Sequence, residues 1–328
     1  MSAVRIGLLN KKRGNFQIQE KFAGSDTVVD ETSAEIAHHE AALRDAGYEV
    51  RVIDWGPDII RDLTEANIDL AFNVSSLVEA AILEELEIPF VGSDSFTIAL
   101  ATHKSLAKKM WRKAGLPTSP FHVARTEQDC EVFRSDPPFA YPLFIKPVAG
   151  RGSAGITEES VVENYDQLVK GVRERYLTIG QPVLIERFLR GREITQCVLG
   201  NNGDVRVLQP LEIAYAEGAV TLTFGKKELD DDTFICPARL SDEEAETMAQ
   251  LATKAYTTLG FKDFGRIDAI LTEEGPFLLE ANTFAGLMCT PVEKPHSYIG
   301  VMAVAEGMGG KDLLDEIVQA ALKRYKLS

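Results

Sequence analysis

Apolar and polar positions follow two rhythms along this chain. Between residues 4 and 100, short apolar runs at 4–9, 48–53, 68–74 and 89–91 alternate with stretches near 33–46 and 77–87 that read as helices. That alternation predicts a small parallel α/β domain, because parallel strands need a crossover between them. The first helix has a ready stop in Gly47, which takes a left-handed conformation without strain. A second segment opens near residue 101 with a basic helix over 102–117, closed by Gly115 and Pro117. It continues through a strand at 141–147, a glycine-rich loop at 148–155 and a helix at 164–176. A third opens with a strand at 182–188 and finishes in a helix at 311–325. The reading divides the chain into 1–100, 101–180 and 181–328, consistent with a length beyond one typical core.

The sharpest pattern lies in the third segment. Phe264-Gly-Arg-Ile-Asp-Ala-Ile-Leu271 and Phe277-Leu-Leu-Glu-Ala-Asn282 have period-two character, and the Thr-Glu-Glu-Gly-Pro between them favours a turn. They predict a β-hairpin. With the turn near Glu274, Asp268 faces Glu280 and Arg266 faces Asn282, all four on one side. Ile267, Ala269 and Leu271 then share the other side with Phe277, Leu279 and Ala281. Two carboxylates and an amide oxygen form a hard donor set, suited to Mg²⁺ that keeps several waters and is completed by nucleotide phosphates. A solvated face of an antiparallel sheet alternates in the same way. Its usual Lys, Thr and Glu are replaced here by an Arg, two acids and an Asn converging just before Thr283-Phe-Ala-Gly286.

Composition narrows the partners. A net charge of -15 argues against nonspecific attraction to nucleic acid, so an anionic substrate would need a local basic pocket or Mg²⁺. Cys130, Cys197, Cys236 and Cys289 lie far apart, with no Cys-x-x-Cys pair and no His at ligand spacing. Neither a disulfide framework nor a zinc site is indicated, and a reducing cytoplasm fits. The amino terminus reads as a strand rather than a signal peptide, and no apolar run approaches the roughly 20 residues of a membrane span.

Gly150, Gly152 and Gly155, with Ser153, follow Phe144-Ile-Lys146-Pro directly. Backbone N–H groups unshielded by side chains can wrap a phosphate. The loop is neither a Walker loop nor a dinucleotide fingerprint, and a plain mobile turn has the same composition. Lys146 can place its ammonium on phosphates or snorkel from the strand end. Val183-Leu-Ile-Glu186-Arg-Phe-Leu189 leads into Arg190-Gly-Arg-Glu193. Such a strand end can bind adenine through main-chain groups, with Glu193 accepting from ribose hydroxyls; an edge strand with an exposed acid fits equally.

Taken in order, several runs resemble the ATP-grasp superfamily and most specifically the D-alanine-D-alanine ligase family, from about residue 88 to the end. They are Ile88-Pro-Phe-Val-Gly-Ser93, Lys104 with Ala114-Gly-Leu-Pro117, Phe144-Ile-Lys-Pro147, Val183-Leu-Ile-Glu-Arg-Phe-Leu-Arg-Gly191, Cys236-Pro-Ala238, Gly265-Arg-Ile-Asp268 and Leu279-Glu-Ala-Asn-Thr283. The resemblance implies a three-domain fold, parallel α/β at the amino end and α+β in the ATP-binding part. ATP with Mg²⁺, or Mn²⁺ in its place, would lie between the central and carboxy-terminal domains of an enzyme that joins a carboxylate to an amine. Residue by residue, it implies that Lys104 and Lys146 contact ATP phosphates under the loop that carries Ser153, and that Glu186, Arg187, Leu189 and Glu193 hold adenine and ribose. Asp268, Glu280 and Asn282 match metal ligands, Arg266 and the Gly286 N–H match the groups that stabilise a tetrahedral intermediate, and Lys226 matches a lysine near the γ-phosphate. A homodimer is also implied, although no interface stripe stands out.

The departures concern substrate recognition. The family's His-Gly-x-x-Gly-Glu-Asp-Gly is replaced by Phe72-Asn-Val-Ser-Ser-Leu-Val-Glu-Ala80. Ser33-Ala-Glu35 resembles the segment whose acid binds the first substrate's ammonium, but a polar insertion over 10–30 separates it from the first strand. The loop tyrosine becomes Lys227, and the serine that grips the acceptor carboxylate becomes Pro291, which offers neither hydroxyl nor N–H. The expectation is an ATP-dependent carboxylate-amine ligase for amino acids or similar substrates, working through an acyl phosphate. D-alanine-D-alanine ligase itself with a rebuilt pocket, and an ATP-binding regulatory protein without turnover, are the alternatives; the intact acid cluster argues against the last. Small-molecule carboxylates and amines are the expected partners, with no nucleic acid and no membrane.

Overall fold

The computed structural model describes residues 3–10, 28–73, 76–150, 155–201, 203–214, 233–291, 295 and 297–327. The first sheet collects β1 (Arg5–Asn10), β2 (Glu49–Asp54), β3 (Leu70–Phe72) and β4 (Phe90–Val91) in the order β2-β1-β3-β4, all parallel. Its crossovers are α1 (Val28–Asp45), α2 (Ile59–Glu65) and α3 (Leu77–Glu85). Ile6, Leu8 and Leu9 are all buried, as befits a strand covered on both faces. α1 starts at Val28, inside the stretch read as a polar insertion.

The basic helix expected over 102–117 spans Lys104–Lys113, and a separate helix precedes it. α4 (Ser95–Thr102) is capped by Asp94, which accepts from Thr97 N at 2.7 Å, and α5 (Lys104–Lys113) follows a break at His103. The break lets Lys104 N donate to Val148 O at 2.8 Å, which fixes the start of α5 against the end of strand β6 (Leu143–Pro147).

The second sheet is antiparallel, in the order β5-β8-β6-β7, with β5 (Phe121–Ala124), β7 (Val161–Val162) and β8 (Val183–Arg187). It is backed by α6 (Tyr165–Ile179), which ends at a left-handed Gly180. A boundary at residue 180 would assign β8 to the third segment. Its alternate residues Val183 and Ile185 instead join Leu143 and Ile145 in one core, so sheet membership changes only after Arg187.

The third sheet runs β12-β11-β9-β13-β14, with β10 added on β9. Its strands are β9 (Arg192–Asn201), β10 (Asp204–Val207), β11 (Leu211–Ala214), β12 (Thr233–Ile235), β13 (Phe264–Thr272) and β14 (Gly275–Asn282). α7 (Asp242–Leu259), absent from the sequence reading, covers one face with Leu251, Ala252, Ala255 and Tyr256 against Val198, Ile267 and Leu278. α8 (Tyr298–Ala305) and α9 (Gly310–Tyr325) cover the other. α9 is shared: Leu313, Ile317 and Val318 belong to one core with Ile6 and Leu8 of the first sheet and Cys197 and Leu199 of the third. The core of the second sheet draws only on residues 124–185. No helix among the described residues is long and apolar enough to cross a membrane.

Candidate active site

The hairpin forms with the expected register at its functional end. Arg266 pairs with Asn282 and Asp268 with Glu280. A register shift after Asp268 then makes Leu279 the extra residue of a bulge, so that Ala269 pairs with Leu278. This corrects the expected apolar face: Leu278 is fully buried and Leu279 only half-buried. Along β13 a single face changes character. Phe264 is packed in the core with α9, and Arg266 and Asp268 follow at alternate positions.

These side chains form a connected polar cluster. Arg266 holds Asp268 with two bonds of 2.8 Å, and Asn282 Nδ2 donates to Asp268 Oδ2 at 2.8 Å. Thr195, opposite Asp268 on β9, donates its hydroxyl to Asp268 Oδ1. The Arg266 guanidinium lies 4.7 Å from the centre of the Tyr298 ring. Burial works to lower the Arg266 pKa, but Asp268 outweighs it and the net shift is upward, so the guanidinium stays charged.

The second sheet turns the opposite kind of face toward this cluster. Leu143 and Ile145 point into its own core, so Lys146 lies on the other side, as does Glu186 relative to Val183 and Ile185. Lys146 Nζ is 2.8 Å from Glu186 Oε2, and Lys108 Nζ is 2.6 Å from Glu186 Oε1. Burial works to lower the Lys146 pKa, but Glu186 and Glu280 raise it above its ordinary value. Burial likewise works to raise Glu186, and Lys108 and Lys146 hold it below the usual carboxylate range. Burial leaves Lys104 below its ordinary value; its ammonium donates to Gly150 O at 2.9 Å and stands 3.7 Å from Glu280 Oε2. Lys104, Gly150, Glu280 and Asn282 therefore line one small pocket where the second and third sheets meet.

The remaining expected residues divide between the cleft and its rim. Arg187 makes a two-pronged pair with Glu274 at the hairpin tip, both bonds 3.1 Å, and with Leu189 it lines an open cavity of about 670 Å³. Glu193 adds to the field on Lys146. Glu186 is buried beneath the two lysines rather than lining that cavity. Gly191 brings the connection between β8 and β9 against β13, since a Cβ there would lie 2.3 Å from Leu271 O. Beyond Asn282 the burial alternates through Thr283, Ala285, Leu287 and Cys289, and Gly286 faces the N-cap Ser297 of α8. A Cβ on Gly286 would lie 2.9 Å from Ser297 Cβ and 3.9 Å from Glu35 Oε1, so the amino-terminal acid does reach this end of the cleft. Ser153, Lys226 and Lys227 lie outside the described residues. Lys108 and Thr195 were not foreseen. A lysine on a basic helix reads as solvated, and a threonine in an apolar strand reads as packing.

Three sheets with this cleft between the second and third have the ATP-grasp arrangement. The fold matches the D-alanine–D-alanine ligase from Bacillus anthracis complexed with ATP, with a TM-score of 0.75 at 22% identity over 99% of both chains. It also matches the VanG D-Ala:D-Ser ligase from Enterococcus faecalis, with a TM-score of 0.74 at 20% identity over 98% of this chain and 100% of that one. The family model described as the D-ala D-ala ligase C-terminus matches residues 110–319. D-alanine–D-alanine ligases of Bordetella avium and Halalkalibacterium halodurans are 32% and 31% identical, each over 86% of this chain, with 87% and 92% of the relative covered. The chain belongs to the D-Ala-D-Ala ligase family.

Proposed function

We propose that the cleft binds ATP with Mg²⁺ and joins a carboxylate to an amine, both from amino acids or similar molecules, releasing ADP and phosphate. The observation that carries the reading is the meeting of two opposed sheet faces. One offers Lys146 and, with α5, Lys104; the other offers Arg266 with Asp268, Glu280 and Asn282. Glu280 and the Asn282 amide oxygen are hard donors that fit Mg²⁺, which when bound would neutralise phosphate charge; Asp268, whose oxygens accept from Arg266, Asn282 and Thr195, would give up one of those bonds to join them.

Lys104 and Lys146 orient the triphosphate, Arg187, Leu189 and Glu193 surround the base and ribose, and Glu186 acts through Lys146. A donor carboxylate oxygen attacks the γ-phosphorus as the bond to the bridging oxygen of ADP breaks. The amine nitrogen then attacks the acyl carbon, and Arg266 with the Gly286 N–H meets the oxyanion that forms. Collapse expels phosphate, and the nitrogen loses a proton. Glu35, beside Gly286, holds the donor's ammonium. Pro291 offers the acceptor carboxylate neither hydroxyl nor N–H, so that carboxylate needs a partner elsewhere in the cleft. The test is a screen of amino acids, D-alanine included, with nucleotide products resolved by chromatography. ADP and phosphate are expected only when both a donor and an acceptor are present; AMP with pyrophosphate would refute the reading.

A further inference from the structure

Lys108 has no place in the chemistry above, yet it is fully buried at the centre of the cleft wall. Its ammonium stands 2.6 Å from Glu186 Oε1 and donates to Thr118 Oγ1 at 2.7 Å and to Leu278 O at 3.2 Å. One ion pair and two hydrogen bonds thus hold the ammonium inside the protein. Those acceptors sit on β8 of the second sheet, on the segment entering β5, and on β14 beside the bulge that leads into Glu280. The side chain also projects from α5 four residues after Lys104, on the same helix face.

The charges decide what this arrangement does. Glu186 divides its two oxygens between Lys108 and Lys146, so this triad holds two ammonium groups and one carboxylate, a net of one positive charge, with Lys104, Glu280 and Glu193 acting on it from outside. Without Lys108, Glu186 would belong to Lys146 alone and the pair would be neutral. A phosphate arriving at Lys146 would then have to compete with a buried carboxylate for the same ammonium.

We propose that Lys108 is a positioning residue for the nucleotide: by neutralising Glu186 from the buried side, it leaves Lys146 as a net positive charge for phosphate and fixes it relative to Glu280. The proposal deepens the reading of the cleft as a nucleotide site and depends on it.

Calorimetric titration with ATP and Mg²⁺, and separately with adenosine, of the wild type, K108M, E186Q and K108M/E186Q tests it. Binding of ATP by the wild type tests the nucleotide reading; the pattern among variants tests the role of Lys108. K108M should weaken ATP binding on the order of tenfold or more, as expected for one unit charge lost within several ångströms. K108M/E186Q restores the net of one positive charge and should recover ATP affinity to within about threefold of the wild type. Adenosine, which carries no phosphate, should bind all four proteins alike. If K108M does not fold, the charge-matched double variant still decides, since it should bind ATP nearly as well as the wild type. ATP affinity unchanged in K108M, or equally weak in the double variant, overturns the proposal, as does a parallel loss of adenosine binding.

Discussion

Single side chains in this protein do different work according to how dry and how well partnered they are. Glu280 is the cleanest probe of the proposed metal site, because its side chain is one-third exposed and the buried Arg266–Asp268 pair stays intact without its charge. Glu280→Gln should lower turnover at least about a hundredfold while shifting stability by less than about 1 kcal/mol. Steady-state rates with a thermal melt check both, and unchanged rates at ordinary Mg²⁺ would remove Glu280 from the ligand set. Asp268→Asn is a poorer probe, since it leaves the buried Arg266 charge unpaired.

His39 carries a different signature. It is fully buried beside Phe72 and His38, and neither ring nitrogen has a hydrogen-bond partner among the described residues. Burial, with His38 adding to it, pulls its pKa from 6.5 down to about 3. The folded state therefore keeps His39 neutral while the unfolded chain takes up a proton below its ordinary pKa. Its contribution to stability is intact above about pH 6.5 and is lost as pH falls toward 3, at up to about 1.4 kcal/mol per pH unit. His39→Leu should remove that slope from urea unfolding measured between pH 4 and 7; an identical slope in the variant would show that His39 is not the titrating group.

At the scale of elements, the parts most legible in the sequence were those whose period matched their burial. Two-residue alternation placed Arg266, Asp268, Glu280 and Asn282 on one face, and a turn centred near Glu274 gave their pairing, which the structure reaches with Thr272 opposite Gly275 and one bulge. The bulge at Leu279 did not follow from the alternation, because Leu278 and Leu279 are chemically equal and only three-dimensional packing chooses between them. α7 carries sequence marks of its own. Ser241 and Glu244 form a capping box, Met248, Leu251, Ala252, Ala255 and Leu259 keep helical spacing, and Gly260 stops it. The placement of β8 was not legible, since a strand carries no local mark of its sheet. Nor was the joint at Asp263, which rests on contacts distant in sequence. Asp263 is fully buried with a left-handed φ of 63°, accepts from Gly92 N at 2.8 Å and Asn201 Nδ2 at 2.8 Å, and holds Arg324 of α9 at 2.6 Å. Arg324 also donates to Phe90 O at 2.8 Å, so one ion pair joins β4, β9 and α9. Breaking a buried pair of this kind costs about 3 to 5 kcal/mol, and Arg324→Met should lower urea stability by that order. A loss under about 1 kcal/mol would mean that the shared core alone holds the first sheet to the third.

For the whole molecule, the division of cores sets up the chemistry. The first and third sheets share α9 and a continuous apolar core, whereas the second sheet keeps its own. α5 packs with the third sheet through Ala107 and Trp111, and the Lys108–Glu186 and Lys104–Gly150 contacts cross from it to the second sheet, over the gap that forms the cleft. A chain of net charge -15 thus sets Lys104, Lys146 and Arg266 around Glu280, and on the proposed reading these cations give an anionic nucleotide a local attraction. The central claim is that a substrate carboxylate attacks ATP there. It is tested most directly by supplying the donor amino acid with its carboxylate labelled with oxygen-18 and following the released phosphate by phosphorus NMR. The account predicts that each phosphate carries one labelled oxygen, transferred when the acyl phosphate breaks down. Phosphate free of label, formed while the amide accumulates, would contradict it.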